Sequence, residues 1–267
     1  VHKLYYSLIL FILIESTLAF AISDPTNIDQ KAGITEHLGE VIDPNIEFID
    51  EESQSVSIGK LLSSGLPLVI APVYFECPRL CNFTQAGLLK TINKIRSVPN
   101  KDYIVLSISF NSKEKAELAK NRSDKYREQI ENKTDEEKKG WKFLVGNDEN
   151  IQRLLNQIGF KYEFDQGEFM HSAGLIFVSP KGKIVRYLYG IEFPSRDFDL
   201  AVSEASEGRV GESLLNKAII FCFRYDHLKG QYTFAIWRLI QVVSIAFVIV
   251  LFLTLIGFKL KEKTSSK

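Results

Sequence analysis

The sequence predicts an α/β fold, a central mixed sheet flanked by helices, carried between two apolar chain ends. Three observations lead there. The runs Leu66–Phe75 and Tyr103–Phe110 are almost continuously apolar, as strands buried on both faces must be. Amphipathic stretches alternate with these runs. Late in the chain, Gly174–Val178 and Ile184–Tyr189 read as strands joined by the turn Ser179-Pro180-Lys181-Gly182.

Taken in order, Asn45–Ile49 and Ser55–Ile58 read as short strands around an acidic turn. Leu66–Phe75 is the buried strand, although Pro72 is awkward for a central position because it lacks a ladder donor. A helix follows from Pro78 to about Arg96, with Leu80, Leu88, Leu89, Ile92 and Ile95 on its apolar face. Tyr103–Phe110 is the next strand, Lys113–Glu131 a charged helix and Asn132–Lys139 a charged surface loop. Trp141–Val145 is a third strand. Asn147–Ile158 is a helix closed by Gly159, a residue suited to the left-handed C-terminal cap. After the strand pair, Asp197–Glu207 forms a last helix ending at Gly208. This order, strand and helix alternating before a strand hairpin and a helix, is that of a thioredoxin-like layer.

The two apolar ends call for different readings. Leu4–Ile14 is a short apolar run behind Lys3, and Ala19-Phe20-Ala21 supplies small residues where a signal peptidase cuts. The run is short for a bilayer span, so residues 1–21 are expected to be a secretory signal rather than an anchor. Val242–Phe258, with Tyr232–Gln241 as a mixed shoulder, has the length of a transmembrane helix. Trp237 suits the interface, and Lys259, Lys261 and Lys263 follow the span. The expected division is residues 22–210 as an exported thioredoxin-like domain, 211–232 as a juxtamembrane linker, 233–258 as a transmembrane helix and 259–267 as a cytoplasmic tail. The protein would then be a single-pass cell-membrane protein with its main domain on the periplasmic side.

Lysine plus arginine and aspartate plus glutamate stand at 33 each in 267 residues, so no net charge points to nucleic acid. Three cysteines are too few for a disulfide scaffold and suit a redox pair or a soft-metal site. Two of them lie in Phe75-Glu76-Cys77-Pro78-Arg79-Leu80-Cys81, where the buried strand meets the following helix. At a helix start, residues four apart lie one turn from each other, and the partial positive charge there favours thiolate. Cys77 and Cys81 could bind a soft cation such as Cu(I) or close into a disulfide. Three intervening residues, against the two of thioredoxin-type reductases, suit shared coordination. The bland alternative is a pair of buried structural cysteines.

A lone histidine is more often structural than a ligand. His171, however, follows the loop Asp165-Gln166-Gly167-Glu168 and precedes a strand, where a thioredoxin-like layout faces the cysteines. Its imidazole would complete a two-sulfur, one-nitrogen copper site, with Asp165 or Glu168 as candidates to orient the ring. Met170, beside it, is a weaker candidate ligand. Cys222 reads as a leftover thiol next to the membrane, with an intermolecular disulfide or a third sulfur as alternatives. Asn82, Asn121 and Asn132 each open an Asn-x-Ser/Thr pattern, and Asn82 lies too close to the cysteines to suit glycosylation.

From His37 to about Gly211 the chain resembles the Sco/SenC family. The resemblance rests on Cys77-Pro78-Arg79-Leu80-Cys81, His171-Ser172 before a strand, Ser179-Pro180-Lys181-Gly182 and Tyr189-Gly190. It implies a thioredoxin-like fold, Cu(I)/Cu(II) binding by Cys77, Cys81 and His171, and a role in maturing the binuclear copper centre of cytochrome c oxidase. The implied partner is the copper-bearing oxidase subunit or another copper protein; a thiol reductase is a further candidate partner. The chain departs from the family at Met170, where many members carry aspartate, and at Asn82, where proline is frequent. A membrane-tethered thiol–disulfide oxidoreductase, using Cys77 and Cys81 as a redox pair, is the competing expectation. A thiol peroxidase fits poorly, because its resolving cysteine is usually distant.

Overall fold

A computed structural model describes residues 32–77, 80–165, 168–210, 223–226 and 231–234, together with Ser244, Phe247, Leu251 and Thr254. The chain divides into two compact units, Val1–Val210 and Gly211–Lys267.

The first unit holds a five-stranded sheet in the order β10-β9-β4-β5-β6, with β4 Leu68–Val73, β5 Ile104–Ser109, β6 Trp141–Leu144, β9 Gly174–Val178 and β10 Ile184–Tyr189. Strands β4, β5 and β6 run parallel, while β9 is antiparallel to both β4 and β10. Every residue of β4, β5 and β9 is buried, which is why those segments read as almost continuous apolar runs, broken only by Ser107 and Ser109 of β5. Pro72 is accommodated because the ladder between β4 and β9 stops at Ile70, leaving a neighbour on one side only.

Three long helices make the crossovers and the final cover: α2 Leu80–Ile92 between β4 and β5, α3 Ala116–Arg127 between β5 and β6, and α6 Ser195–Glu207 after β10. The shorter α1 Ile58–Leu62 follows the antiparallel pair β2 Glu47–Ile49 and β3 Ser55–Ser57. Helix α5 Asp148–Gln157 is capped by the Asn147 side chain on the Asn150 amide. This is the thioredoxin-like arrangement expected from the sequence. Aromatic packing ties the layers together. Phe198 of α6 meets Tyr103 and Phe177 edge-on, and Tyr126 of α3 lies against Trp141 and Phe143.

Three segments differ from the sequence reading. Asp135–Lys138, expected as loop, is the short helix α4, because Thr134 and Glu137 form a reciprocal capping box. Phe160–Asp165 and Glu168–His171 are strands β7 and β8 of an antiparallel hairpin, where only a loop was expected before His171. With β1 Gly33–Ile34 they make a separate sheet in the order β1-β7-β8. Gly159 makes that sheet possible: its φ of +65° turns the chain out of α5, and the Thr35 amide donates to its carbonyl at 2.8 Å.

In the second unit, β11 Phe223–Asp226 pairs antiparallel with β12 Gln231–Phe234. Thr233 and Phe234, expected at the start of the apolar helix, therefore lie in a strand, and the expected linker holds a hairpin. Ser244, Phe247, Leu251 and Thr254 are helical and exposed. Among the described residues no helix is long and apolar enough to cross a membrane. The expected signal segment 1–21, most of the expected span 233–258, the tail 259–267 and Cys222 lie outside the described residues.

Candidate metal centre

The parallel strands β4 and β5 deliver the chain to the site at their C-terminal ends, the edge where crossovers leave a crevice. Tyr74 and Phe75 follow β4, and Phe110 follows β5, its amide bonded to the Val73 carbonyl at 2.8 Å. Cys77 sits in the turn that leaves β4, with its amide 3.3 Å from the Tyr74 carbonyl. Cys81 lies in the first turn of α2. Cys77 thus stands in the turn after β4 and Cys81 on the helix, at the strand-to-helix junction where the sequence places them.

Cys77, Cys81 and His171 come together with their ligand atoms all within 4.8 Å of one another. All three are buried, at 4%, 1% and 3% exposure, and no disulfide joins the two thiols. Cys81 Sγ lies 3.2 Å from His171 Nε2 and 3.3 Å from the Tyr74 amide, and the Cys81 amide lies 3.4 Å from Cys77 Sγ. A buried thiol, a second thiol one turn away and an imidazole thus face one point. His171 ends β8, so the hairpin missing from the sequence reading is the element that presents it.

His171 Nδ1 is 2.8 Å from the Ser172 carbonyl. A carbonyl only accepts, so the proton is assigned to Nδ1 and Nε2 carries the lone pair toward the sulfurs. This corrects the expectation that Asp165 or Glu168 would orient the ring. Glu168 is exposed at the hairpin end, three residues before His171. The ring is enclosed by Phe110, Phe160 and Tyr74 at centroid distances of 5.0, 6.0 and 6.1 Å. Phe169 also meets Phe110, so Phe169 and His171 share one face of β8 and Met170 between them faces the other way. Met170 therefore does not face the sulfurs.

The electrostatics also depart from the simplest reading of the motif. Burial, followed by the neighbouring Cys77, pushes the Cys81 thiol well above its ordinary range, and the Tyr74 amide pulls only weakly against it. Burial thus favours the thiol over the thiolate at Cys81, and a bound cation would supply the charge that releases its proton. Burial first, and then a hydrogen bond with Cys77, likewise raise the Tyr74 hydroxyl beyond the ordinary phenol range.

Sequence reasoning missed the residues behind the cysteines. Glu114, 5% exposed, accepts from the Phe75 amide at 2.9 Å, the Glu76 amide at 2.8 Å and the Ser109 hydroxyl at 2.6 Å. Burial raises its carboxyl above the usual range, and these three donors oppose the shift. Arg122 donates to the Asn82 side-chain oxygen at 2.9 Å and to the Phe75 carbonyl, while the Asn82 amide donates to the Cys77 carbonyl at 2.7 Å. Asn82 is thereby committed on both sides of its side-chain amide. Glu114 was discoverable as an acid just past a mostly apolar strand; nothing local distinguishes Arg122 in its charged helix.

No protein-family model and no curated protein matches the chain. Solved structures do. A candidate electron transfer protein from Aquifex aeolicus VF5 is 26% identical and aligns over 64% of this chain and 95% of its own, with a TM-score of 0.57. BsSco, a member of the Sco family of cytochrome c oxidase assembly proteins in which a disulfide switch was identified, is 21% identical over 65% and 98%, with a TM-score of 0.51. Arabidopsis thaliana ScoI with copper bound is 17% identical over 64% and 99%, with a TM-score of 0.50.

Proposed function

We propose that this protein, whose domain has the fold of the Sco/SenC family, is a membrane-anchored copper-handling factor that binds copper through Cys77, Cys81 and His171. The observation that carries the reading is the convergence of two buried sulfurs and one imidazole nitrogen within 4.8 Å. Soft sulfur donors suit Cu(I), and the imidazole lets the same site hold Cu(II). The chain's own part is to orient Nε2 through the Ser172 carbonyl, to exclude water with Tyr74, Phe110 and Phe160, and to release the thiol protons when metal enters.

The copper in the Arabidopsis relative and the oxidase-assembly role of BsSco support copper as the cargo and a respiratory oxidase copper centre as its destination. The signal-like start and the apolar stretch 233–258 support an exported domain held to the cell membrane by a C-terminal helix.

A membrane-tethered thiol–disulfide oxidoreductase is the second reading, favoured by the approach of the Cys81 amide to Cys77 Sγ at 3.4 Å, with the two cysteines in the reduced form. Metal analysis of the purified chain, with and without reductant, separates the two. Cys77→Ser, Cys81→Ser and His171→Ala are expected to lose tight copper binding, and only the cysteine changes to lose reduction of a model disulfide. Copper bound by His171→Ala as tightly as by the parent in both oxidation states would leave the plain oxidoreductase.

A further inference from the structure

The two cysteines lie on a turn that is gripped from outside the ligand set. Phe75, two residues before Cys77, is held at both ends of its backbone: Glu114 takes its N–H at 2.9 Å, and Arg122 donates to its carbonyl. Glu114 also takes the next amide, that of Glu76, with its other oxygen at 2.8 Å. On the far side of the turn, Asn82 reaches back from α2 to the Cys77 carbonyl at 2.7 Å, and Arg122 holds the Asn82 oxygen at 2.9 Å.

The donors and acceptors leave no freedom in this chain. Guanidinium only donates and a backbone carbonyl only accepts, so the Asn82 oxygen must face Arg122 and its nitrogen must face Cys77. Arg122 is thus the common anchor of both sides of the turn. Through Phe75 it fixes where the strand releases the chain, and through Asn82 it fixes the Cys77 peptide relative to the helix that carries Cys81. Both cysteine positions therefore depend on one side chain of α3 that touches neither sulfur in these bonds.

We propose that Asn82 and Arg122 are positioning residues that, with Glu114, hold the Cys77 peptide and the helix end bearing Cys81 in place for metal before metal arrives. The inference rests on the copper reading and extends it to residues of the chain that the motif does not contain. A turn held this way spends little free energy on ordering the sulfurs at the moment of binding, so loosening it should appear as lost affinity and as access to the thiols.

The test uses the full chain in detergent and two readouts. Cu(I) affinity is measured by competition with a chromophoric Cu(I) chelator. Access to Cys77 and Cys81 in the metal-free protein is measured as the rate of iodoacetamide labelling, read by peptide mass. Asn82→Ala is expected to weaken Cu(I) binding about 10- to 100-fold and to speed labelling of both cysteines, while circular dichroism stays that of the parent. Arg122→Gln is expected to exceed Asn82→Ala in both readouts, since it frees both sides of the turn. Should Arg122→Gln fail to fold, Asn82→Ala alone decides. Parent-like affinity, within about twofold, together with parent-like labelling in Asn82→Ala would overturn the proposal. A parent that binds no copper would sink the copper reading instead. The labelling comparison would still decide whether Asn82 holds the turn, faster labelling upholding it and parent-like labelling ending it.

Discussion

Cys81 Sγ and His171 Nε2 stand 3.2 Å apart across ninety positions of sequence. With the His171 proton held on Nδ1 by the Ser172 carbonyl, the Cys81 thiol donates to the bare nitrogen, and a metal ion held there would take the place of that proton. The contact joins α2 to the β7–β8 hairpin, so a metal bound at this point links two elements that the chain supplies separately.

Copper should therefore stabilise the fold measurably. A ligand that binds only the native state at about a hundred times its dissociation constant adds about 2.7 kcal/mol. Thermal unfolding under anaerobic conditions is expected to shift upward with Cu(I) for the parent and to remain unshifted for His171→Ala and Cys81→Ser. An equal shift in the variants would mean that copper binds elsewhere.

Met170→Leu should leave the site untouched. Met170 faces away from the sheet side that Phe169 and His171 share against Phe110, and the exchange nearly conserves volume, at a cost below about 1.5 kcal/mol. Cu(I) affinity and the Cu(II) absorption spectrum are expected to match those of the parent. A displaced charge-transfer band would show a thioether at the metal.

Gly159→Ala should be among the costliest single methyl additions. An added Cβ would sit 1.8 Å from the Thr35 carbonyl oxygen, at a backbone φ of +65°. The left-handed conformation alone costs about 1–2 kcal/mol for a residue with a side chain, and the clash separates β1 from β7. Urea unfolding is expected to lose more than about 2 kcal/mol. A parent-like midpoint would show that the β1–β7–β8 sheet contributes little.

Alkaline pH should weaken the fold through its buried phenols. Burial pushes the Tyr187 hydroxyl up to about 12. A group whose folded pKa is raised contributes stability that is present below its unfolded value, about 10, and lost as pH rises through the folded value. Tyr74, Tyr103, Tyr126 and Tyr162 shift in the same direction. The urea midpoint is expected to fall from pH 10 to beyond 12. Tyr187→Phe should reduce that slope, at a cost of about 1 kcal/mol at neutral pH for the bonds to His37 and Ile158. An unchanged slope would remove Tyr187 from the account.

The topology can be checked by fusion. An export-dependent reporter joined near Gly211 should be active, and one joined after Lys267 should be silent. The opposite pattern would reverse the compartment and end the case for an exported copper site.

The layer order was legible in the sequence because strands buried on both faces show no polar alternation: Leu68–Val73 is apolar throughout, and Ile104–Ser109 departs from that only at Ser107 and Ser109. The cysteine pair was legible too, since four-residue spacing at a strand-to-helix junction is local geometry. The hairpin that carries His171 was not, because Phe160–Asp165 and Glu168–His171 border solvent and mix charge with aromatics, so their pairing is decided by Phe110 and the neighbouring strand. The ring's true partner was equally hidden, for a backbone carbonyl has no residue type to read. The state of the thiols depended on burial, which only the packed aromatics around them impose. The grip of Glu114, Asn82 and Arg122 on the cysteine segment was likewise decided by tertiary structure, because residues from two helices and the loop after β5 become neighbours only when β4 and β5 lie side by side and set their crossovers against the same edge.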